Sequence, residues 1–143
     1  LAYCINTITK SMGAADFLLG VCESWMTPAL FLSVAFIAGS VISFFTGSSW
    51  GTFAICIPIA VPMAYSFTGG QLGTLVYAAV GAVVSGGLFG DHCSPVSDTT
   101  VLSSLGAACD HIDHVRTQLP YALLAAAVSI ILWIVVALVG GAV

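Results

Sequence analysis

The sequence predicts an all-α integral membrane protein, a polytopic helical chain with broken or re-entrant helices. Hydrophobic residues make up 59% of its 143 residues and charged residues only 6%, whereas soluble globular chains carry roughly 25% charged residues. The apolar residues form continuous runs, which favours helices over the alternating strands of a membrane barrel. So few charges cannot cover a water-facing surface, and a net charge of −4 offers no basic patch for binding nucleic acid.

Four apolar runs are candidates to enter or span a bilayer, which takes about 20 helical residues for a full crossing. They cover about residues 29–45, 53–67, 72–89 and 120–143. The second run carries Pro58 and Pro62, which predict a short, kinked helix. The third is rich in Gly and Ala, which suits close packing between helices. Two polar segments separate the runs, a first break at about 46–52 and a second break at about 90–118. Helices interrupted in this way are typical of a transporter binding site.

The second break brings carboxylates and hydroxyls directly after an apolar run. The chain holds only six acidic residues, and an Asp at the centre of a bilayer costs about 2.5 to 3.5 kcal/mol, so such residues tend to be functional. Hard cations prefer oxygen ligands. The candidate ligands in this segment are Asp91, Ser94, Ser97, Asp98, Thr99 and Thr100. We therefore predict an ion or proton site here, with Asp98 as the principal carboxylate and Asp91 as a second one.

A helix is expected to restart within the second break. Ser94 is a candidate N-cap with Pro95 at the first helical position, where the missing N–H of proline costs nothing. Asp98 then falls early in the helix, where the helix dipole favours an ionised carboxylate. The alternative is an ordinary polar loop with a capped helix outside the bilayer.

The first break supplies hydroxyls at Ser48, Ser49 and Thr52, which could complete the same ion site. Its glycines let the backbone bend and approach a ligand. The alternative is an interfacial turn with Trp50 in the aromatic belt of the membrane. Gly-Ser-Ser-Trp-Gly also fits the G-x-S-x-G pattern of hydrolases, but that pattern requires a strand before the serine. An intramembrane serine hydrolase that uses Ser49 remains the alternative from another class.

A third polar cluster follows, at the end of the second break. It contains Asp110, His111, Asp113, His114 and Arg116. Spacings of three and four residues place acids and bases on one helix face, which predicts a network for pH response or packing. The chain lacks C-x-x-C and H-E-x-x-H, so we predict no bound metal beyond transported Na⁺, and no cofactor. The five cysteines show no disulfide framework and are expected to be free.

Two of these segments, Thr46–Thr52 and Gly90–Thr100, resemble the NhaC-type Na⁺/H⁺ antiporters, and the similarity covers roughly residues 13–125. The run Cys109–Pro120 is similar to one branch of that family. The resemblance implies a helical secondary transporter, not an enzyme, that exchanges Na⁺ for H⁺ across a bacterial cytoplasmic membrane. Its partners would be Na⁺, H⁺ and the lipid bilayer. Relatives that exchange organic solutes, of the malate/lactate or basic amino acid type, provide the alternative within transport.

The chain begins with Leu1 rather than Met. We expect residues 1–143 to be the C-terminal transmembrane part of a longer secondary transporter, which would not transport on its own. The sequence does not specify an oligomeric state, and a homo-oligomer is compatible with it.

Overall fold

The structure is a computed structural model. It describes residue 4, residues 7–8, 11–13, 17 and 20–21, and the continuous range 26–140. Every regular element in the range 26–140 is helical. The helices are α1 (Pro28–Thr46), α2 (Ser49–Phe67), α3 (Thr74–Cys93), α4 (Asp98–Gly106) and α5 (His111–Gly140). By length and composition α2, α3 and most of α5 can cross a membrane, and α1 is a somewhat shorter apolar helix. The predicted all-helical membrane fold is confirmed.

The first break is much shorter in the structure than the polar sequence suggests. Only Gly47 and Ser48 separate α1 from α2. Gly47 adopts a left-handed conformation with φ 65° and donates its N–H to the Ser43 carbonyl, which is a common way to end a helix. The Ser48 hydroxyl then accepts from the Gly51 N–H at 3.3 Å and caps α2. As a result, Ser49 is the first residue of a membrane-length helix.

The second break is also largely helical, and the predicted helix start within it is wrong. The helix begins at Asp98, and Ser97 rather than Ser94 is its N-cap. Pro95 lies instead in a turn closed by the Ser97 N–H and the Ser94 carbonyl at 3.4 Å, a turn position that proline favours. The Ser94 hydroxyl is directed away from the helix, because it donates to the Phe44 carbonyl at 2.6 Å.

Close packing of α1 against α3 forms the centre of the bundle. A Cβ atom at Gly90 would overlap the Ser40 carbonyl and lie 2.7 Å from the Phe44 nitrogen, and one at Gly86 would overlap the Phe36 carbonyl. Small residues four positions apart allow two membrane helices to approach in this way. Because the two contacts are displaced by four residues in the same direction on both helices, α1 and α3 run parallel.

The other two long helices run in the opposite direction. A Cβ atom at Gly87 would lie 2.6 Å from the Phe53 ring on α2. On α5, the Trp133 ring covers Gly81, and the Ile130 carbonyl accepts from the Ser33 hydroxyl at 3.5 Å. The ends of α1 and α3 therefore meet the starts of α2, α4 and α5 at one level of the bundle.

Candidate functional site

A buried carboxylate lies where these helix ends meet. Asp91, in the last turn of α3, is only 8% exposed. The Ser49 hydroxyl donates to its Oδ2 at 3.0 Å, and the Ser97 hydroxyl donates to its Oδ1 at 2.6 Å. Each carboxylate oxygen thus has one hydroxyl partner, and each partner comes from the start of a different helix, α2 or α4.

The helix ends set the electrostatics around Asp91. The C-terminal end of α3 carries a partial negative charge, which opposes an ionised carboxylate. The N-terminal ends of α2 and α4 carry partial positive charges, which favour one. The two serines that bond Asp91 are the first residue of α2 and the cap residue of α4. The arrangement resembles transporter sites in which the ends of broken helices meet at an ion.

A second layer of oxygens surrounds the carboxylate. The Ser97 Oγ accepts from the Thr99 N–H at 3.2 Å and lies 2.8 Å from the Thr99 Oγ1. Since Ser97 has one hydroxyl proton and gives it to Asp91, the Thr99 hydroxyl must donate to Ser97 in this state. The Thr100 hydroxyl donates to the main-chain carbonyls of Asp91 and His92 at 3.3 and 3.1 Å. We call Asp91, Ser49, Ser97 and Thr99 the Asp91 site.

No cation of the described protein neutralises this carboxylate. Within residues 26–140 the Asp91 side chain has hydroxyl partners alone, and Arg116 is the only Lys or Arg of that range. The same range brings no three His, Cys, Asp or Glu side chains together. A buried charge without a partner is costly. The site is therefore suited to bind H⁺ or a small hard cation, with oxygen ligands from one carboxylate and its neighbouring hydroxyls.

Asp98, the carboxylate predicted to be the principal one, lies outside the Asp91 site. It is exposed at the first position of α4, and its Oδ1 accepts from the Thr99 N–H at 2.9 Å. The geometry thus favours Asp91 over Asp98, although the functional order of the two carboxylates stays a prediction.

Three other predicted oxygen ligands bond the main chain instead of the carboxylate. Ser48 caps α2, the Thr52 hydroxyl donates to the Ser48 carbonyl at 2.9 Å, and the Ser94 hydroxyl donates to the Phe44 carbonyl at 2.6 Å. These contacts fix the helix ends that carry the site. Of the hydroxyls predicted in the two breaks, the structure brings those of Ser49, Ser97 and Thr99 into one network with Asp91.

The third polar cluster begins α5. The Asp110 Oδ1 accepts from the N–H groups of Ile112 and Asp113 at 2.9 and 3.3 Å, and so caps this helix. His111 bonds the Pro95 carbonyl and the Ser104 hydroxyl. Among residues 26–140, the acid–base pairs expected from helical spacing do not form hydrogen-bonded ion pairs.

Sequence reasoning missed the residues that hold the site together. Ser43 is fully buried and donates its hydroxyl to the Gly87 carbonyl at 2.6 Å, which joins α1 to α3. The available signal was Gly86-x-x-x-Gly90, a spacing of small residues that marks close helix contacts. The Pro95 carbonyl, a partner of His111, left no signal in the side-chain pattern.

Comparisons with known proteins agree on the family. The profile of the Na⁺/H⁺ antiporter family matches residues 1–138. An uncharacterised protein of Haemophilus influenzae is 47% identical over 136 residues, 94% of this chain. The malate-2H⁺/Na⁺-lactate antiporter of Bacillus subtilis is 37% identical over 80% of the chain. The Na⁺/H⁺ antiporter NhaC of Alkalihalophilus pseudofirmus is 32% identical over 87% of it.

The chain spans only about a quarter of the length of these relatives, namely 25%, 23% and 26%. No solved structure matches it. The match to the family nevertheless covers nearly the whole chain, including both breaks and the Asp91 site. The chain therefore belongs to the Na⁺/H⁺ antiporter family.

Proposed function

We propose that the full-length protein is a secondary active antiporter that exchanges Na⁺ for H⁺ across the bacterial cytoplasmic membrane, and that Asp91 carries the exchanged ion. The observation that supports this most directly is the burial of Asp91 among hydroxyls, without a cation from residues 26–140. One carboxylate that holds either H⁺ or Na⁺ makes the two ions compete. Competition for a single site leads to exchange rather than joint transport.

The hydroxyl network provides a way to change between the two ions. With the site empty, Ser49 and Ser97 both donate to the carboxylate. When Na⁺ binds, these hydroxyl oxygens must turn their lone pairs toward the cation. Ser97 can then donate its proton to the Thr99 Oγ1, since either oxygen of that 2.8 Å pair can act as the donor. Ion binding thus reverses one hydrogen bond and leaves no hydroxyl proton of the Ser97–Thr99 pair without an acceptor.

Substitution of Asp91 in the full-length protein tests the proposal. Asp91→Asn keeps the shape of the side chain and removes the exchangeable charge, so Na⁺-driven proton flux in proteoliposomes should disappear while the protein still accumulates in the membrane. Asp98→Asn is the matched control, because it makes the same chemical change on an exposed carboxylate, and it should retain flux. Normal exchange by Asp91→Asn, with loss of exchange in Asp98→Asn, would reverse the assignment in favour of Asp98.

An exchanger of organic solutes is the second candidate, because one relative is named as a malate-2H⁺/Na⁺-lactate antiporter. A cavity of about 330 Å³ lies between α1 and α2 and is lined by apolar side chains, among them Phe31, Ile55 and Met63. It offers no charged group to a carboxylic acid or a basic amino acid, so this part of the chain favours Na⁺ and H⁺. Counterflow of labelled malate, lactate or arginine by the full-length protein would support the alternative.

The hydrolase alternative receives no support from the site. A serine nucleophile needs a general base within hydrogen-bond reach. The Ser49 hydroxyl is bonded to Asp91, and among residues 26–140 neither His92, His111 nor His114 bonds it.

A further inference from the structure

We propose that His111 is a positioning residue for the Asp91 site and that it acts through the carbonyl of Pro95. This inference rests on the proposed function of the site. The His111 Nε2 lies 2.7 Å from the Pro95 carbonyl oxygen. A carbonyl can only accept a hydrogen bond, so Nε2 carries the proton. Pro95 precedes by two residues the Ser97 that bonds Asp91, and both belong to the turn Ser94–Ser97.

The side of this turn nearest α1 is held by α1 itself. The Ser94 hydroxyl donates to the Phe44 carbonyl at 2.6 Å, and the Val96 carbonyl lies so close to Gly47 that a Cβ atom there would be 2.8 Å from it. From the α5 side, the His111 ring is the group in the described range that bonds the turn. Without that bond the Pro95 peptide would be free to rotate, and Ser97 would shift with it.

The same ring also bonds the far end of α4. The His111 Nδ1 lies 3.2 Å from the Ser104 Oγ, and Ser104 is only 2% exposed. One imidazole therefore joins the turn before α4 to the last part of α4. Since the start of α4 supplies Ser97 and Thr99 to the Asp91 site, this bridge fixes the direction in which both hydroxyls face the carboxylate.

The bond to Pro95 does not depend on the charge of the ring. Nε2 carries a proton in the neutral tautomer seen here and in the imidazolium. Nδ1 accepts from Ser104 in the first case and donates to it in the second. The two nitrogens can therefore be separated by substitution. The amide nitrogen of Gln can replace Nε2 and reach Pro95, whereas the shorter Asn replaces Nδ1 and reaches only Ser104.

The test measures the apparent KM for Na⁺ and the maximal rate of Na⁺-driven proton flux by the full-length protein in proteoliposomes. His111→Ala and His111→Asn should raise KM about fivefold, as expected for the loss of one neutral hydrogen bond, and keep the maximal rate. His111→Gln should restore KM to within about twofold of the wild type. His114→Ala, one turn further along α5, is the matched control and should leave KM unchanged.

Each result supports or overturns the inference. A wild-type KM in both His111→Ala and His111→Asn overturns it. Equal losses in His111→Gln and His111→Asn, or a lower maximal rate with KM unchanged, also overturn it, because they indicate a general structural role. If Asp91→Asn abolishes exchange while the His111 variants behave as wild type, this inference alone fails. If Asp91→Asn exchanges normally, the proposed site fails and the inference fails with it.

Discussion

At the scale of single residues, the two serines that bond Asp91 are the sharpest test of coordination. Ser49→Ala or Ser97→Ala removes one oxygen from one side of the carboxylate and leaves the charge. The loss of one neutral ligand should cost about 1 to 2 kcal/mol, or roughly 5- to 30-fold in apparent Na⁺ affinity. We expect a raised KM for Na⁺ with the maximal rate retained, measured on the full-length protein.

Ser103→Ala is the control for these variants, because the Ser103 hydroxyl is exposed and bonds only the Thr99 carbonyl, at 2.8 Å. A KM that stays at the wild-type value in both serine variants would assign these hydroxyls to helix capping. Thr99→Ala should show a smaller rise in KM, since Thr99 bonds Ser97 and not the carboxylate.

The residue types of the site could be predicted from the sequence, but their arrangement could not. Two Asp residues and several hydroxyls after an apolar run indicated an ion site. Which Asp is buried depends on where α4 begins, and that start is set by the bond from Ser94 to the Phe44 carbonyl, 50 residues away in sequence. A contact over such a distance leaves no trace in the local pattern, which is why Asp98 was ranked above Asp91.

At the scale of elements, the contact between α1 and α3 should tolerate no added side chain. Gly90→Ala places a Cβ atom against the Ser40 carbonyl and the Phe44 nitrogen, both main-chain atoms that cannot move aside. Overpacking of this kind costs typically about 1 to 3 kcal/mol. We expect a lower thermal stability of the full-length protein in detergent and a loss of transport, since Asp91 is the next residue.

Gly106→Ala provides the matched control, because nothing lies within 4 Å of a Cβ atom at that helical glycine. It should leave stability unchanged. A Gly90→Ala protein as stable and active as the Gly106→Ala protein would mean that α1 and α3 are not in close contact in the membrane.

The apolar runs located the long helices, because continuous hydrophobicity at this length is compatible with little else in a bilayer. The helix boundaries were harder to predict. The first turn of α2 contains Ser49 and Thr52, polar residues that suggest a break, yet the Ser48 cap and a bond from Thr52 to the Ser48 carbonyl make that turn helical. The short helix α4 was not located correctly for the same reason, since its polar sequence resembles a loop.

At the scale of the whole molecule, one shared site makes Na⁺ affinity depend on pH. If H⁺ and Na⁺ compete for Asp91, the apparent KM for Na⁺ should fall as the pH rises, by up to about tenfold per pH unit while the carboxylate is mostly protonated. The maximal rate at saturating Na⁺ should change much less. The measurement is the Na⁺ dependence of proton flux by the full-length protein at several values of external pH. A KM independent of pH would indicate separate sites for the two ions.

The level at which the helix ends meet also determines how the Asp91 site lies in an electric field. From it, α2 and α3 extend for 19 and 20 residues, about 28 to 30 Å at 1.5 Å per residue, close to the thickness of the hydrocarbon core. A cation that enters where α2 begins reaches Asp91 across little of the membrane potential. One that leaves along the length of these helices crosses most of it, at about 2.3 kcal/mol per 100 mV. Membrane voltage therefore acts mainly on one of the two half-passages of the ion, and the protein is electrically asymmetric.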